Sequence, residues 1–173
     1  MLEDPQYASE LIGDFTTHLR SCIRAMASDT PLPFSQELEN IRAYVNIEKM
    51  RFGDKLKVIY NITAEDFAIL PLSIQPLVEN AIRHGIYGRG PQGGTVTIRT
   101  RGESKAWVIE IEDDGIGFDV NGFLNGQLPW KTDATGLKNL IFRLDKVMGA
   151  RVKIASAVGK GTKVKVLVPK GEL

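Results

Sequence analysis

Residue types that could bind a charged ligand are concentrated in four short segments of this 173-residue chain. The first segment combines carboxylate, carboxamide, guanidinium and imidazole groups, and the other three contain glycines that let a ligand lie against bare backbone. In chain order the segments are Glu79–His84, Asp113–Gly117, Gly136–Asn139 and Gly159–Thr162. An isolated glycine pair usually marks a turn, so the succession of four segments carries more weight than any one of them.

Asp113 is the position with the most specific prediction. Trp107, Ile109 and Ile111 recur at every second position of a predicted strand, and the same count turns Asp113 toward the core at the strand end. A buried carboxylate without a partner is costly or shifts its pKa, whereas the exocyclic amine of adenine would supply a hydrogen-bond donor. Taken alone, Asp113–Gly115 is more typical of a plain turn, and the neighbouring segments favour a binding site.

The glycines are predicted to bring a nucleotide against the backbone. Gly115 and Gly117 follow Asp113 closely and would form the floor of the adenine and sugar site. Gly136 is expected at the start of a helix, where free amide groups and the helix dipole could meet a phosphate. The spacing therefore predicts a ligand site to which several separate segments contribute.

Asn80, Arg83 and His84 are predicted to lie on a helix that begins near Ser73 and ends at Gly85. The apolar residues of that helix point to the core, which turns the polar ones toward a different side. Because the three polar residues lie within about one turn of each other, all could reach the same pocket edge. For His84 alone, a helix-end histidine bound to backbone is the alternative.

Together these segments resemble the N-box and glycine boxes of the GHKL nucleotide-binding superfamily. The flanking segments Arg51–Leu56 and Pro71–Ile82 are similar to those of sensor histidine kinases of the LytS type, and the similarity extends roughly over Pro33–Pro169. The resemblance implies an ATP-binding catalytic domain of α+β class. Its fold would be a two-layer α/β sandwich of the GHKL (Bergerat) type, a mixed sheet covered on one face by helices and preceded by an N-terminal helical segment.

The resemblance also implies a role for each candidate site residue, with ATP and Mg²⁺ as cofactors. Asp113 would bind adenine, Asn80 would hold Mg²⁺ and contact the nucleotide, and Arg83 and His84 would contact phosphates. Glu79 would be catalytic with Asn80, by orienting or activating a group through a coordinated water. The other nucleotide-binding residues that it implies are Gly115, Gly117, Gly136, Leu137 and Thr162. Two positions depart from the family pattern: Ala134 replaces a glycine and Arg83 a more usual lysine.

Periodicity predicts the elements that hold these residues. Alternation of apolar residues predicts one strand at Leu56–Ile62, a hairpin that joins Val96–Arg99 to Trp107–Glu112, and a final hairpin around Gly159–Gly161. A mixed sheet with helices on one face follows from this order.

Two helices and an irregular segment complete the prediction. One helix is expected to follow Ser35 as N-cap, with Glu37 in its first turn, and to end near Arg51. Another covers Leu137–Met148. Phe118–Thr135 fits no period, and long irregular loops in compact domains are usually functional, so we expect a lid over the nucleotide.

The N-terminal part is expected to be a separate helical unit. Residues 1–32 would be the end of a dimerisation and phosphoacceptor region, and residues 33–173 the catalytic domain. One helical seam could pack on this domain or on a second copy: Ala8, Ile12, Phe15, Leu19, Cys22 and Met26. The family phosphorylates a histidine in a His-Phe-x-Phe-Asn-type motif, and neither His18 nor His84 has that context. We therefore expect ATP binding without self-phosphorylation.

Composition excludes several functional classes. The 22 Lys and Arg residues against 21 Asp and Glu give a net charge of +1, which provides no long-range attraction for nucleic acid or acidic membranes. The single Cys22 cannot form an internal disulfide, and no cysteine-histidine cluster suggests zinc. The longest uncharged apolar segment, Phe67–Val78, is too short to cross a bilayer. We expect a cytoplasmic domain whose membrane attachment, through a bacterial sensor protein, depends on upstream segments.

The expected partners are ATP, a response regulator protein and a second copy of the full-length kinase. Two alternatives remain at the level of sequence. One is an ATP-hydrolysing GHKL protein, such as a chaperone or topoisomerase subunit, with a glutamate-activated water. The other is a non-catalytic nucleotide-sensing module in which ATP orders the lid.

Overall fold

Seven strands and four α-helices form the part of the chain that the structure describes. This computed structural model describes residues 30–124 and 131–171, together with 12, 13, 15 and 16. In chain order the elements are β1 (Leu32–Pro33), α1 (Phe34–Phe52), β2 (Leu56–Ile62), β3 (Ala68–Ile69), α2 (Gln75–Asn80), β4 (Gly94–Gly102), β5 (Ala106–Asp113), α3 (Val120–Leu124), α4 (Lys131–Met148), β6 (Arg151–Ser156) and β7 (Thr162–Pro169).

The central sheet is mixed, as predicted. Its strand order is β2-β4-β5-β7-β6, with β2 parallel to β4 and the other neighbours antiparallel. Strands β4 and β5 form one predicted hairpin and β6 and β7 the other. The register places Asp113, the last residue of β5, beside Thr162, the first residue of β7. The sheet therefore brings two of the four candidate segments together at one edge.

Helices cover one face of this sheet, which confirms the two-layer α+β architecture. The inward face of the sheet is apolar, and α1, α2 and α4 each contribute buried aliphatic side chains to the same core. The other face carries crossed ion pairs, including Arg99 to Glu112 at 2.5 Å and Lys163 to Glu112 at 3.2 Å. This division follows from the period-two pattern of the strands, since successive side chains point to opposite faces.

Helix α1 begins one residue before the predicted cap. Its N-cap is Pro33, without a side-chain cap hydrogen bond, so Ser35 lies inside the helix and the prediction of Ser35 as N-cap was wrong. The buried ring of Phe34 stacks on Phe67 with 4.7 Å between ring centroids. The helix therefore begins at a residue that is packed in the core, and the capping preference of serine did not predict this start.

The helix that contains Asn80 does not end at Gly85. After α2 the chain widens into a π-helix over Ala81–Ile86 and continues as a 3₁₀ helix over Tyr87–Gln92. A loop was predicted after Gly85, because glycine commonly ends helices in a left-handed conformation. Gly85 does not have a positive φ here, and its missing side chain serves close packing instead.

The segment Phe118–Thr135 is more regular than predicted. It contains α3 and the beginning of α4, while residues 125–130 lie outside the described part of the chain. The lid therefore stays a prediction. Because α4 begins at Lys131, Gly136 is the sixth residue of the helix, and the prediction that it opens the helix was wrong.

Most of the N-terminal seam lies outside the described residues. Of its six members the structure describes Ile12 and Phe15, which are helical and exposed. Within the described residues, no helix has the length and hydropathy needed to cross a membrane.

Candidate functional site

A cavity of about 130 Å³ opens at the edge of the sheet where β5 ends. Its wall combines the sheet, the π-helix and the loop that follows Asp113. Six of the candidate site residues line it: Asn80, His84, Asp113, Gly117, Leu137 and Thr162. Apolar side chains of Ile111, Ile154 and Val164 complete much of the surface. An apolar cavity with a few convergent polar groups is the usual form of a small-molecule site.

Asp113 is the charged group at the base of this cavity. Its side chain is 5% exposed, and its Oδ1 accepts the N–H of Gly115 at 2.9 Å. Burial raises the pKa of Asp113 to about 6, although the N–H groups of Gly115 and Thr162 act in the opposite direction. The carboxylate is thus ionised above this pH and lines an apolar cavity, where a ligand donor would compensate for lost water.

The backbone around Asp113 is packed as closely as glycine allows. A Cβ on Gly85 would lie 2.5 Å from Asp113 Oδ1, and a Cβ on Gly115 would collide with the backbone of Gly85. The N–H of Ile116 also donates to the carbonyl oxygen of Gly85 at 3.1 Å. Gly117 has φ of 59°, a conformation that favours glycine. The glycines therefore hold the strand end and π-helix together.

Thr162 lies beside Asp113 through the β5–β7 register and is connected to a serine that sequence reasoning missed. Ser156 Oγ accepts the N–H of Phe118 at 2.9 Å and lies 3.0 Å from Thr162 Oγ1. It also donates to the carbonyl oxygen of Gly161 at 2.9 Å. Ser156 thus joins the loop after Asp113 to the last hairpin. The predicted hairpin places Ser156 opposite Thr162, and this pairing is the feature of the sequence that could have identified it.

The π-helix separates residues that were predicted to share one pocket edge. Arg83 and His84 are both exposed, but His84 lines the first cavity with Asn80, whereas Arg83 lines neither of the two described cavities. A π-helix turns less per residue than an α-helix, so the residue four positions after Asn80 stays near it while the third rotates away. The prediction of a common pocket edge is therefore correct for Asn80 and His84 and wrong for Arg83.

A second cavity, of about 380 Å³, adjoins the first. The two share Asn80 and Leu137 in their walls, so a ligand that passes these residues enters both. Glu79 and Gly136 line the second cavity only. Three polar or charged residues of this region were not predicted from the sequence. Asn139 and Arg143 on α4 line the cavity, and Gln75 is hydrogen-bonded to Glu79.

Glu79 is fixed by a buried neighbour. Gln75 is 1% exposed, and its Nε2 donates to Glu79 Oε1 at 2.8 Å. The two residues are four positions apart, a spacing that places them on one side of a helix. Because Glu79 also lines the second cavity, this bond holds a carboxylate at the cavity wall.

Glu37 holds the start of the same helix from a distance in sequence. Its carboxylate, 2% exposed, accepts the N–H groups of Leu72, Ser73, Ile74 and Gln75 at 2.9 to 3.1 Å. Burial raises the pKa of Glu37, and these four N–H groups act against that rise. The local sequence predicts only that Glu37 lies in the first turn of α1. No pattern in the residues around Glu37 predicts that its carboxylate caps a different helix.

The oxygen atoms available near the junction of the cavities fit a magnesium ion that completes its coordination from a ligand. The candidates are the carboxamide of Asn80 and the carboxylate of Glu79. Among the described residues, no group of three or more His, Cys, Asp or Glu side chains could hold a metal. Mg²⁺ commonly takes one or two protein oxygens and obtains the rest from phosphates and water, so this sparse set suits it.

Family comparison agrees with this arrangement. Residues 68–172 match the model of the histidine kinase-, DNA gyrase B-, and HSP90-like ATPases, and residues 1–56 match the model of histidine kinases. The first match contains all of the candidate site residues. It implies that the domain binds ATP.

Three bacterial relatives match almost the whole chain. YwpD of Bacillus subtilis (strain 168) is 34% identical over 95% of this chain and 60% of its own length. The sensor histidine kinase YpdA of Escherichia coli (strain K12) is 34% identical, and the sensor protein LytS of Bacillus subtilis (strain 168) is 32% identical. The alignments cover 96% of this chain but 29% of each sensor protein, so the chain spans less than a third of their length.

Solved structures of histidine kinases share the fold. The histidine kinase domain of the blue-light activated kinase EL346 from Erythrobacter litoralis superposes with a TM-score of 0.59 at 18% identity, over 94% of this chain and 74% of that one. The catalytic domain of the histidine kinase ThkA gives 0.61 at 12% identity, over 82% and 95%. The family match, the relatives and the fold agree: the chain belongs to the histidine kinase-, DNA gyrase B- and HSP90-like ATPase family, as a GHKL domain of the LytS histidine kinase type.

Proposed function

We propose that this chain is the ATP- and Mg²⁺-binding catalytic domain of a two-component sensor histidine kinase. It would transfer the γ-phosphoryl group of ATP to a histidine outside this chain, from which a response regulator receives it. The observation that carries this proposal is the buried carboxylate of Asp113 in an apolar cavity that continues, past Asn80, into a second and more polar one.

The first cavity is suited to adenine. Asp113 Oδ1 already accepts one backbone N–H, and a carboxylate has further acceptor positions for the exocyclic amine of the base. Gly115 and Gly117 keep the neighbouring backbone free of side chains, and Thr162 adds a hydroxyl beside the carboxylate. This combination supports purine recognition by hydrogen bonds within an otherwise apolar wall.

The second cavity is suited to phosphates and their cation. We propose that Asn80 holds Mg²⁺, which would neutralise phosphate charge during transfer. Leu137 would contact the nucleotide where the two cavities meet, His84 would contact it from the wall of the first cavity, and Gly136 would contact it on the α4 side. Phosphate contact by Arg83 stays a prediction without support from either cavity. The chain's main contribution to transfer would be positioning, because phosphoryl transfer needs little covalent chemistry from protein.

The wider assignment divides the chain into two parts. Residues 1–32 would end a dimerisation and phosphoacceptor region, and residues 33–173 would form the catalytic domain. Homodimerisation of the full-length kinase, a cytoplasmic position for this domain and membrane attachment through upstream segments belong to the same proposal. The similarity to proteins named as a sensor histidine kinase and a sensor protein supports the sensor-kinase assignment, from which these further proposals follow.

Nucleotide titration of the Asp113→Asn variant tests the proposal. The NH2 group of an asparagine would face either the backbone N–H groups of Gly115 and Thr162 or the adenine amine. All of these groups are donors, so one hydrogen bond would be lost. Loss of a charge-assisted hydrogen bond should lower the affinity for both ATP and adenosine by about 10- to 100-fold. Calorimetric titration measures both ligands, and the exposed Asp66→Asn serves as the matched control. Unchanged adenosine affinity in Asp113→Asn would refute purine recognition at this residue.

Incubation with γ-labelled ATP tests the transfer step. We expect no acid-labile label on this chain, since neither of its histidines has the phosphoacceptor context. Label at His18 would contradict that expectation.

ATP hydrolysis is the second candidate function, and the Gln75–Glu79 hydrogen bond of 2.8 Å is the observation that favours it. A carboxylate held in this way could orient a water for attack on the terminal phosphate. Steady hydrolysis that is lost in Glu79→Gln, without transfer to any histidine, would replace the kinase proposal by this one.

A further inference from the structure

The second cavity contains a positive charge that the family resemblance did not assign. Arg143 lines this cavity together with Glu79 and Asn80. Among its described lining residues, Arg143 is the one cationic side chain and Glu79 the one anionic side chain. A triphosphate that enters from the adenine cavity would add several negative charges to this space, so the position of the guanidinium group matters for affinity.

Helix geometry points Arg143 to the same space as the proposed phosphate contacts. Gly136, Asn139 and Arg143 are separated by three and four residues on α4, so they lie on one side of the helix. Glu79 and Asn80 on α2 form the opposite wall of the cavity. Arg143 is partly buried, and charges in such places are screened by salt less than charges on the surface.

We propose that Arg143 binds the phosphate chain of the nucleotide and supplies the charge that the resemblance assigned to Arg83. Arg83 is exposed and lines neither cavity, whereas Arg143 lines the cavity that adjoins the adenine site. A guanidinium group can donate two parallel hydrogen bonds to phosphate oxygens, which gives it both charge and directional specificity. This inference rests on the proposed function, because it assumes that adenine occupies the first cavity.

Calorimetric titrations of the 173-residue chain with ATP, ADP and adenosine, in the presence of Mg²⁺, test the assignment. Arg143→Met should lower the affinity for ATP by about 10- to 100-fold while adenosine affinity changes little, because only the phosphates lose a charged donor. Arg143→Lys should give an intermediate loss, since it keeps the charge but not the paired hydrogen bonds. Lys146→Met is the control, an exposed cation on the same helix.

Adenosine is the reference that separates phosphate binding from a structural role. If ATP and adenosine lose affinity by the same factor in Arg143→Met, or if ATP affinity is unchanged, the assignment is refuted. A loss confined to Arg83→Met would return the role to Arg83. If adenosine binding depends on Asp113 while ATP is indifferent to Arg143, only this inference fails. If the unaltered chain binds neither ligand, the proposed function fails with it.

Discussion

The two cavities differ in what fixes their walls. The first cavity is built on the sheet edge, where the β5–β7 register and close backbone contacts among Gly85, Gly115 and Asp113 determine the geometry. The second cavity lies between α2 and α4, and its functional side chains depend on how those helices are rotated. One end of the site is thus fixed by backbone, and the other by helix packing.

This difference explains why one end can be rigid while the other can adapt. Hydrogen bonds of a sheet constrain the position of Asp113 directly, whereas Glu79 and Arg143 lie on helices whose rotation depends on how they pack against the core. The helix that carries Glu79 also begins at a cap from α1, the carboxylate of Glu37. Three substitutions test the contrast.

Glu37→Ala should have the largest effect, and the effect should be on the helical end. The change leaves four N–H groups, three of them buried, without their acceptor, so the free energy of unfolding should fall by at least about 3 kcal/mol. Denaturant unfolding measures this, with the exposed Glu39→Ala on the same helix as control. A loss below about 1 kcal/mol would mean that water or neighbouring groups replace the carboxylate easily.

Asp113→Asn should stabilise the chain without nucleotide, in contrast to its effect on binding. Burial raises the pKa of Asp113 from 3.8 to about 6, so the folded chain binds this proton more tightly than the unfolded chain. The stability that this group contributes is complete below pH 3.8 and is lost as the pH rises through 6. At about pH 8 the variant should therefore gain up to about 3 kcal/mol in the free energy of unfolding.

Thermal and denaturant unfolding across pH can measure that gain, which should shrink as the pH falls through the folded pKa of Asp113. Nucleotide affinity of the unaltered chain should decrease in the same direction, because protonation removes the acceptor. A variant that is less stable than the unaltered chain at all pH values would show that the carboxylate is stabilising and that its buried charge is not a cost.

Gly136→Ala should have the smallest effect. A Cβ at this helical position would meet nothing within 4 Å, so the gain in helix propensity should stabilise the chain by up to about 1 kcal/mol. ATP affinity should fall a few-fold if phosphate lies against this part of α4, and adenosine affinity should not change. Thermal unfolding and titration measure both, and unchanged ATP affinity would remove Gly136 from the site. Gly149→Ala, at φ of 61°, is a contrasting variant that should destabilise.

Sequence patterns predicted most of the sheet and the burial of Asp113 at its edge. The alternation through Trp107, Ile109 and Ile111 correctly turned Asp113 inward, because side-chain direction in a strand depends only on counting by two. The helical end was harder. Helix starts at Phe34 and Lys131 differ from those predicted, since local capping preferences compete with packing of residues far away in the chain.

The chain's own order of residues determined the family, the strand pattern and the inward carboxylate of Asp113, because each is encoded within a few consecutive residues. Only the tertiary structure decided that Arg83 faces away, that Arg143 lines the second cavity and that Glu37 caps another helix. These depend on the rotation of helices and on contacts between residues far apart in the chain, such as Glu37 and Gln75, which are 38 positions apart. No local period records the relative rotation of two helices, since it is set by how their side chains pack together.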